Sequence, residues 1–117
     1  MVEPRLKSKI TVSAYLRMGD QAGKPGAVIR RGDPDAGAIL LLMRGREDTH
    51  GGSIVIFAQT RTAAGDPAWL RLSGDDPIDQ VAADTILSKQ QRFDGDLWMV
   101  EFECPDFILP FEIKLLE

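Results

Sequence analysis

Two short segments concentrate the side chains that could bind or transform a small molecule. The first is Arg30-Arg31-Gly32-Asp33-Pro34-Asp35-Ala36-Gly37, and the second is Gln90-Gln91-Arg92-Phe93-Asp94-Gly95-Asp96-Leu97-Trp98. A guanidinium is a planar fork that matches a carboxylate or a phosphate. Carboxylates two residues apart on a turn can supply oxygen ligands to Mg²⁺ or Ca²⁺. If the fold joins the two turns, Arg30, Arg31, Asp33, Asp35, Arg92, Asp94 and Asp96 could form one anion- or small-molecule-binding site, or a catalytic one. A plainer reading asks less of them. Pro34 presets φ for a hairpin tip, the aspartates bond back to their own backbone, and the arginines pair with nearby carboxylates at the surface. That plainer reading is preferred for both segments.

Other reactive types are sparse. His50 lies in Asp48-Thr49-His50-Gly51-Gly52-Ser53, but a base needs a nucleophile and an orienting acid assembled in space. The glycines there lack the lysine and helix of a phosphate loop. No catalytic residue is assigned. The chain has one cysteine and one histidine, too few for a four-ligand zinc site. Cys104, just before Pro105, reads as a packed thiol. No metal and no cofactor are expected. Two tryptophans carry the non-catalytic signal. Trp98 alternates inward with Val100 and Phe102. Trp69 shares a strand face with Arg71, opposite Ala68, Leu70 and Leu72, and is expected to look outward as a partner anchor.

These residues need elements to hold them. Leu6, Ile10, Ala14, Met18 and Ala22 recur every four positions, which predicts a helix over 4–22, with Pro4 in its first turn and Gly23 as its stop. Ile10, Val12, Ala14 and Leu16 also alternate as a strand would, over a shorter run. Short β-type runs follow at 27–30, 38–43, 54–57 and 68–72, separated by turns at 32–37 and 62–67 and a polar loop at 44–53. Residues 38–43 are apolar on both faces, as a central covered strand requires. Asp76 and Pro77 read as the start of a second helix running to Gln91, and 97–103 as the last strand. The order is α-β-β-β-β-α-β. It predicts an α+β fold: a four- to five-stranded, mostly antiparallel meander with both helices packed on one face.

The totals bound the class. At 117 residues the chain suits one domain with its own core. Residues 1–104 account for it. Residues 105–117 form an apolar extension expected to dock on the domain or on another subunit. The net charge is −4, from 18 acids and 14 bases, so nucleic acid is disfavoured; the basic residues Arg5, Lys7, Lys9 and Arg17 read as a solvated helix face. The longest apolar run, Ala38–Met43, is far below the ~20 residues of a membrane span. With no apolar run behind the N-terminal charges, the expectation is a cytoplasmic protein, bacterial in style.

Three stretches carry a resemblance: Pro4-Arg5-Leu6-Lys7-Ser8, then Arg30 to Ala38, then Gln91-Arg92-Phe93-Asp94-Gly95-Asp96-Leu97-Trp98-Met99-Val100-Glu101. They resemble a group of short bacterial proteins known as domain of unknown function 1491, over about residues 3–103. Gly95 departs from the family pattern, which often has proline there, and the apolar tail after Cys104 also departs from it. The resemblance implies no reaction or ligand. The leading expectation is a non-enzymatic cytoplasmic domain that works through protein contacts as a homo-oligomer. The alternative is a small-molecule or anion site at the two Arg/Asp turns.

Overall fold

The computed structural model describes residues 6–46 and 52–116. Seven elements follow in the expected order: α1 (Ser8–Gln21), β1 (Gly26–Arg30), β2 (Ile39–Arg44), β3 (Ile54–Arg61), β4 (Pro67–Arg71), α2 (Gln80–Phe93) and β5 (Trp98–Glu103). Pro4 and Arg5, and with them the predicted first turn of the helix, lie outside the described residues. So do Asp48 and His50. Among the described residues, no helix is long and apolar enough to cross a membrane.

The five strands form one sheet in the order β1-β5-β2-β3-β4, antiparallel except for the β2–β5 pair. This corrects the meander. β5 inserts between β1 and β2, so the 32–37 turn is not the tip of a hairpin. β2 explains the arrangement: Ile39 to Met43 are all buried, and such a strand needs a neighbour on each side and cover on both faces. β3 supplies one neighbour and β5 the other.

The two helices cover opposite faces, not one. Ile39, Leu41, Met43, Trp98, Val100 and Phe102 pack with Val12 of α1. Leu40, Leu42, Ile54, Ile56 and Met99 pack with Ala83 of α2. Both faces of β2 are apolar, and Met99 of β5 adds to the second, so a single-sided cover would leave one of them in water.

Helix ends follow local chemistry. α1 closes with Lys24 N–H donating to Gly19 O and Gly23 N–H to Asp20 O. Gly23 adopts φ 72°, the left-handed conformation this motif requires. α2 begins later than predicted. Its cap is Asp79, whose carboxylate accepts from Ala82 N–H at 2.8 Å. Ile78 cannot join the helix because its backbone pairs with Ile54 at the start of β3.

α1 presents an unexpected face. The predicted stripe looks outward: Leu6 is 67% exposed, Ile10 51% and Met18 43%. The side against the sheet carries Ser8, Val12, Tyr15, Leu16 and Gly19.

From Cys104 the chain returns across the α1 side of the sheet. Phe111 stacks on Tyr15 with ring centroids 4.1 Å apart and meets the edge of Phe102 at 5.5 Å. Trp69 N–H donates to Lys114 O, and Leu116 N–H to Trp69 O, both at 2.7 Å. The tail thereby pairs with the outer edge of β4, which would otherwise expose unpaired backbone.

Candidate functional site

The two Arg/Asp turns meet. Asp33 N–H donates to Asp96 O at 2.9 Å. Arg30 reaches across with both terminal nitrogens, to Leu97 O at 2.6 Å and Gly95 O at 2.8 Å. Trp98 Nε1–H donates to Asp33 O at 2.7 Å. Arg31 lies over the Trp98 ring, 5.7 Å from its centroid. Gly32 and Gly37 permit the approach, since a Cβ on either would fall within 2.3 Å of Asp96 O.

The same turn caps the first helix. Lys9 N–H donates to Pro34 O at 2.9 Å and Ser8 N–H to Asp35 O at 3.3 Å, while the Ser8 hydroxyl donates to Gly37 O. The first N–H groups of a helix lack internal partners, and Lys7, at the cap position, provides no side-chain acceptor. The segment 33–37 therefore joins three parts: the start of α1, the exit from β1 and the entry to β5.

Most polar side chains at this junction are engaged in holding it. Asp33 accepts from Asp35 and Ala36 N–H, and Asp94 accepts from Asp96 N–H. Asp35 pairs with Lys7 at 3.6 Å, both well exposed. Arg30 is committed to carbonyl oxygens. Arg31, Arg92 and Asp96 are exposed, and their side chains make no hydrogen bond or ion pair among the described residues. Among the described residues, no group of three or more His, Cys, Asp or Glu is placed to hold a metal ion. The four carboxylates thus do not converge as oxygen ligands, although their backbones do.

Both tryptophans are buried. Trp98 is 3% exposed, at the junction. Trp69 is 7% exposed, which corrects the outward anchor: its strand face is the one the tail covers, and Tyr15 stands 6.4 Å away. The alternation itself holds, with Trp69 on one face and Leu72 on the other.

A second feature lies away from the arginines and aspartates. Between the tail and the sheet runs a cleft of about 430 Å³, floored by Met43 and Phe57 and walled by Phe107, Leu109, Phe111 and Leu115. Its tail side is pinned at one end. Lys24 Nζ bonds Asp106 at 3.1 Å and Ile108 O at 2.7 Å, and the Lys24 hydrogen bond holds the exposed Asp106 carboxyl below its ordinary value. Phe107 sits at φ 58°, an unusual conformation for an aromatic residue, with its ring against Gly45, where a Cβ would fall 2.2 Å from ring carbons. Cys104 lies beneath, fully buried. Burial pushes its thiol up to about 11, Lys24 partly opposing. The tail's apolar composition signalled that it needs cover. Nothing in the spacing pointed to Tyr15, Gly45 or the cleft.

The fold and the joined turns define a small mixed-sheet α+β protein whose two polar motifs are fastened together by main-chain bonds. The chain belongs to the family described as protein of unknown function (DUF1491), whose profile matches residues 6–112. The match runs past Cys104, so the tail to residue 112 lies within the family pattern, contrary to expectation. A crystal structure of a DUF1491 family protein from Caulobacter crescentus CB15 superposes with TM-score 0.81 at 25% identity, covering 96% of this chain and all of that one. An NMR structure of a DUF1491 family protein from the same organism gives 0.77 at 23% identity, covering 98% of this chain and all of that one. The solution structure of protein Atu0922 from A. tumefaciens gives 0.74 at 24%, covering 97% of each chain. No curated protein matches the chain.

Proposed function

We propose that this protein is a non-enzymatic interaction domain that self-associates through the outer face of α1. The observation that carries this reading is the pair Ile10 and Met18 on α1, with Leu6 just before the helix, all of which the fold leaves in water. Residues four apart form the ridge that interlocks when two helices cross at about −50°. A ridge of this kind fits another helix, and the same helix of a second copy supplies one about a twofold axis. The joined turns support the reading indirectly, because they hold the start of α1 by main-chain bonds. A single free thiol suits a reducing compartment, and we place the protein in the cytoplasm of a bacterium.

Size-exclusion chromatography with light scattering tests the proposal. The expected result is a dimer that an Ile10→Lys, Met18→Glu double variant converts to a monomer with unchanged far-UV circular dichroism. A wild-type monomer across the accessible concentration range would end the self-association reading.

One observation favours a second reading, an anion site at the joined turns. The turns do converge, and Arg31 and Arg92 retain donors uncommitted among the described residues. Titration with inorganic phosphate, followed by amide chemical shifts of residues 31–37 and 92–96, tests it. Unmoved resonances would remove it.

A further inference from the structure

The tail is fastened at two places and spans the gap between them. Its root is rigid: Cys104 N–H donates to Arg44 O and Phe107 N–H to Cys104 O, both at 2.8 Å. Lys24 Nζ sits there on three oxygens, both carboxylate oxygens of Asp106 at 3.1 Å and Ile108 O at 2.7 Å. The Lys24 side chain is 17% exposed, and its backbone is fixed by the closing turn of α1. Hydrogen bonds from an ammonium are roughly twice as strong as neutral ones. The far end has two neutral main-chain bonds to Trp69, from Lys114 and Leu116, in a stretch whose side chains stay exposed. Between the ends, residues 109–113 make no main-chain hydrogen bond to any described residue. They bridge the cleft and are held by side chains, chiefly the Phe111 ring on Tyr15.

A segment held in this way has one preferred mode of opening, because local opening is cheapest where few bonds and little buried surface are lost. We propose that residues 109–116 are a strap that lifts from the β4 edge as one unit and pivots at the Lys24 clamp, while the rest of the fold stays closed. With no main-chain anchor in between, an opening that starts at residue 116 and frees the Phe111 ring runs back to the clamp. Closed, the strap pairs the outer edge of β4 and roofs Met43 and Phe57. Open, it uncovers that edge and that floor together, so one motion switches both. Phe107 and Cys104 stay covered in either state, because Phe107 belongs to the clamped root and its ring is seated against Gly45. The strap uses neither Ile10 nor Met18, so it does not rest on self-association.

Native-state hydrogen exchange on the full chain, compared as protection factors, tests the strap. The Trp69 and Leu116 amides are expected to exchange through one shared opening, on the order of tenfold or more faster than central amides of β2 and β5, and with weak urea dependence. The Phe107 amide, and labelling of the Cys104 thiol by an aromatic disulfide, are expected to follow the slow central class. Lys24→Met removes the clamp. Relative to the central amides, it should speed Phe107 exchange and Cys104 labelling by on the order of tenfold. Should Lys24→Met not fold, the wild-type amides still decide. Trp69 and Leu116 amides that exchange with the slow class, or at unrelated rates, would remove the strap. A wild-type Phe107 amide as fast as that of Trp69, or a folded Lys24→Met variant whose Phe107 amide and Cys104 thiol stay in the slow class, would remove the pivot. Either outcome overturns the proposal.

Discussion

The indole Nε1–H of Trp98 donates to the main-chain oxygen of Asp33 across 2.7 Å, joining residues 65 positions apart. Around that bond, the two segments richest in arginine and aspartate become one fastening. Their carboxylates cap their own turns, one guanidinium serves two carbonyls, and the resulting platform starts both α1 and β5.

Trp98→Phe keeps most of the ring and removes its donor. Asp33 O then loses a partner in a part-buried place, and unfolding free energy should fall by about 1–3 kcal/mol in urea titrations. Arg30→Met removes two further donors from the same junction. The two losses should be non-additive by at least ~0.5 kcal/mol, because both hold one contact between turns. Strict additivity would mean that the turns are fastened independently.

Gly37→Ala should be more damaging than its size suggests. A Cβ there would lie 2.3 Å from Asp96 O and 2.9 Å from Asp33 N and O, all backbone atoms that cannot rotate away. A loss of about 1–3 kcal/mol is expected. Gly95→Ala is the matched control, with nothing within 4 Å of its Cβ, and should change stability by no more than about 0.5 kcal/mol. Thermal unfolding of the pair gives the comparison directly.

The cap of α2 is testable because the Asp76-Pro77 pair reads as the helix start, whereas the structure caps the helix with Asp79. Asp79→Ala should cost about 1 kcal/mol, since its carboxylate accepts from Ala82 N–H. Asp76→Ala should be nearly neutral. If denaturant midpoints ranked the two in reverse, the helix would begin at Pro77, as the Asp-Pro pair suggests.

The helix at 8–21 was legible from its four-residue repeat, yet the buried side was not. Counting large apolar residues finds Leu6, Ile10 and Met18. The sheet-facing side relies on small ones, because Gly19 lets α1 approach until a Cβ would sit 2.8 Å from the Phe102 ring. Small residues carry little hydrophobic signal, so the helix was visible and its orientation hidden. The central place of 38–43 was legible because a strand apolar on both faces must be covered on both. The insertion of β5 between β1 and β2 was not, since a short connection between two strands reads as a hairpin. The meeting of the Arg/Asp turns was also beyond reach: it is made largely by backbone atoms, and no residue type announces which carbonyl its amide will find. The cleft depends on where the tail lies, and composition alone required only that it be covered.

The tail should be worth more than a surplus segment. Phe111→Ala removes the ring that stacks on Tyr15 and meets the edge of Phe102. A half-buried aromatic with two such partners should cost about 2 kcal/mol, somewhat less than a fully buried one. Loosening there should also uncover the β4 edge, where Lys114 O and Leu116 N–H bond Trp69. Hydrogen exchange at the Trp69 amide should therefore accelerate beyond what global destabilisation explains. An amide as protected as in the wild type at matched stability would show that residues 114–116 hold the edge without Phe111.

Cys104 gives the protein an alkaline limit. Its thiol is raised from 9.0 to about 11, first by burial, with Lys24 lowering and Asp106 raising it. Below pH 9 the folded and unfolded chains both hold the proton, and stability is insensitive to this group. Between pH 9 and about 11 the unfolded thiol ionises while the folded one does not, so stability is lost as pH rises. The loss levels off above the folded value, at about 3 kcal/mol for two pH units. Tyr15, also raised by burial, acts in the same direction in both wild type and variant. The contribution of Cys104 is therefore the difference between wild type and Cys104→Ala. The variant should start less stable, because it leaves a cavity. Its urea midpoint should nevertheless fall less steeply between pH 9 and 11. Parallel curves would mean that the thiol ionises alike in both states and that the core at Cys104 admits water.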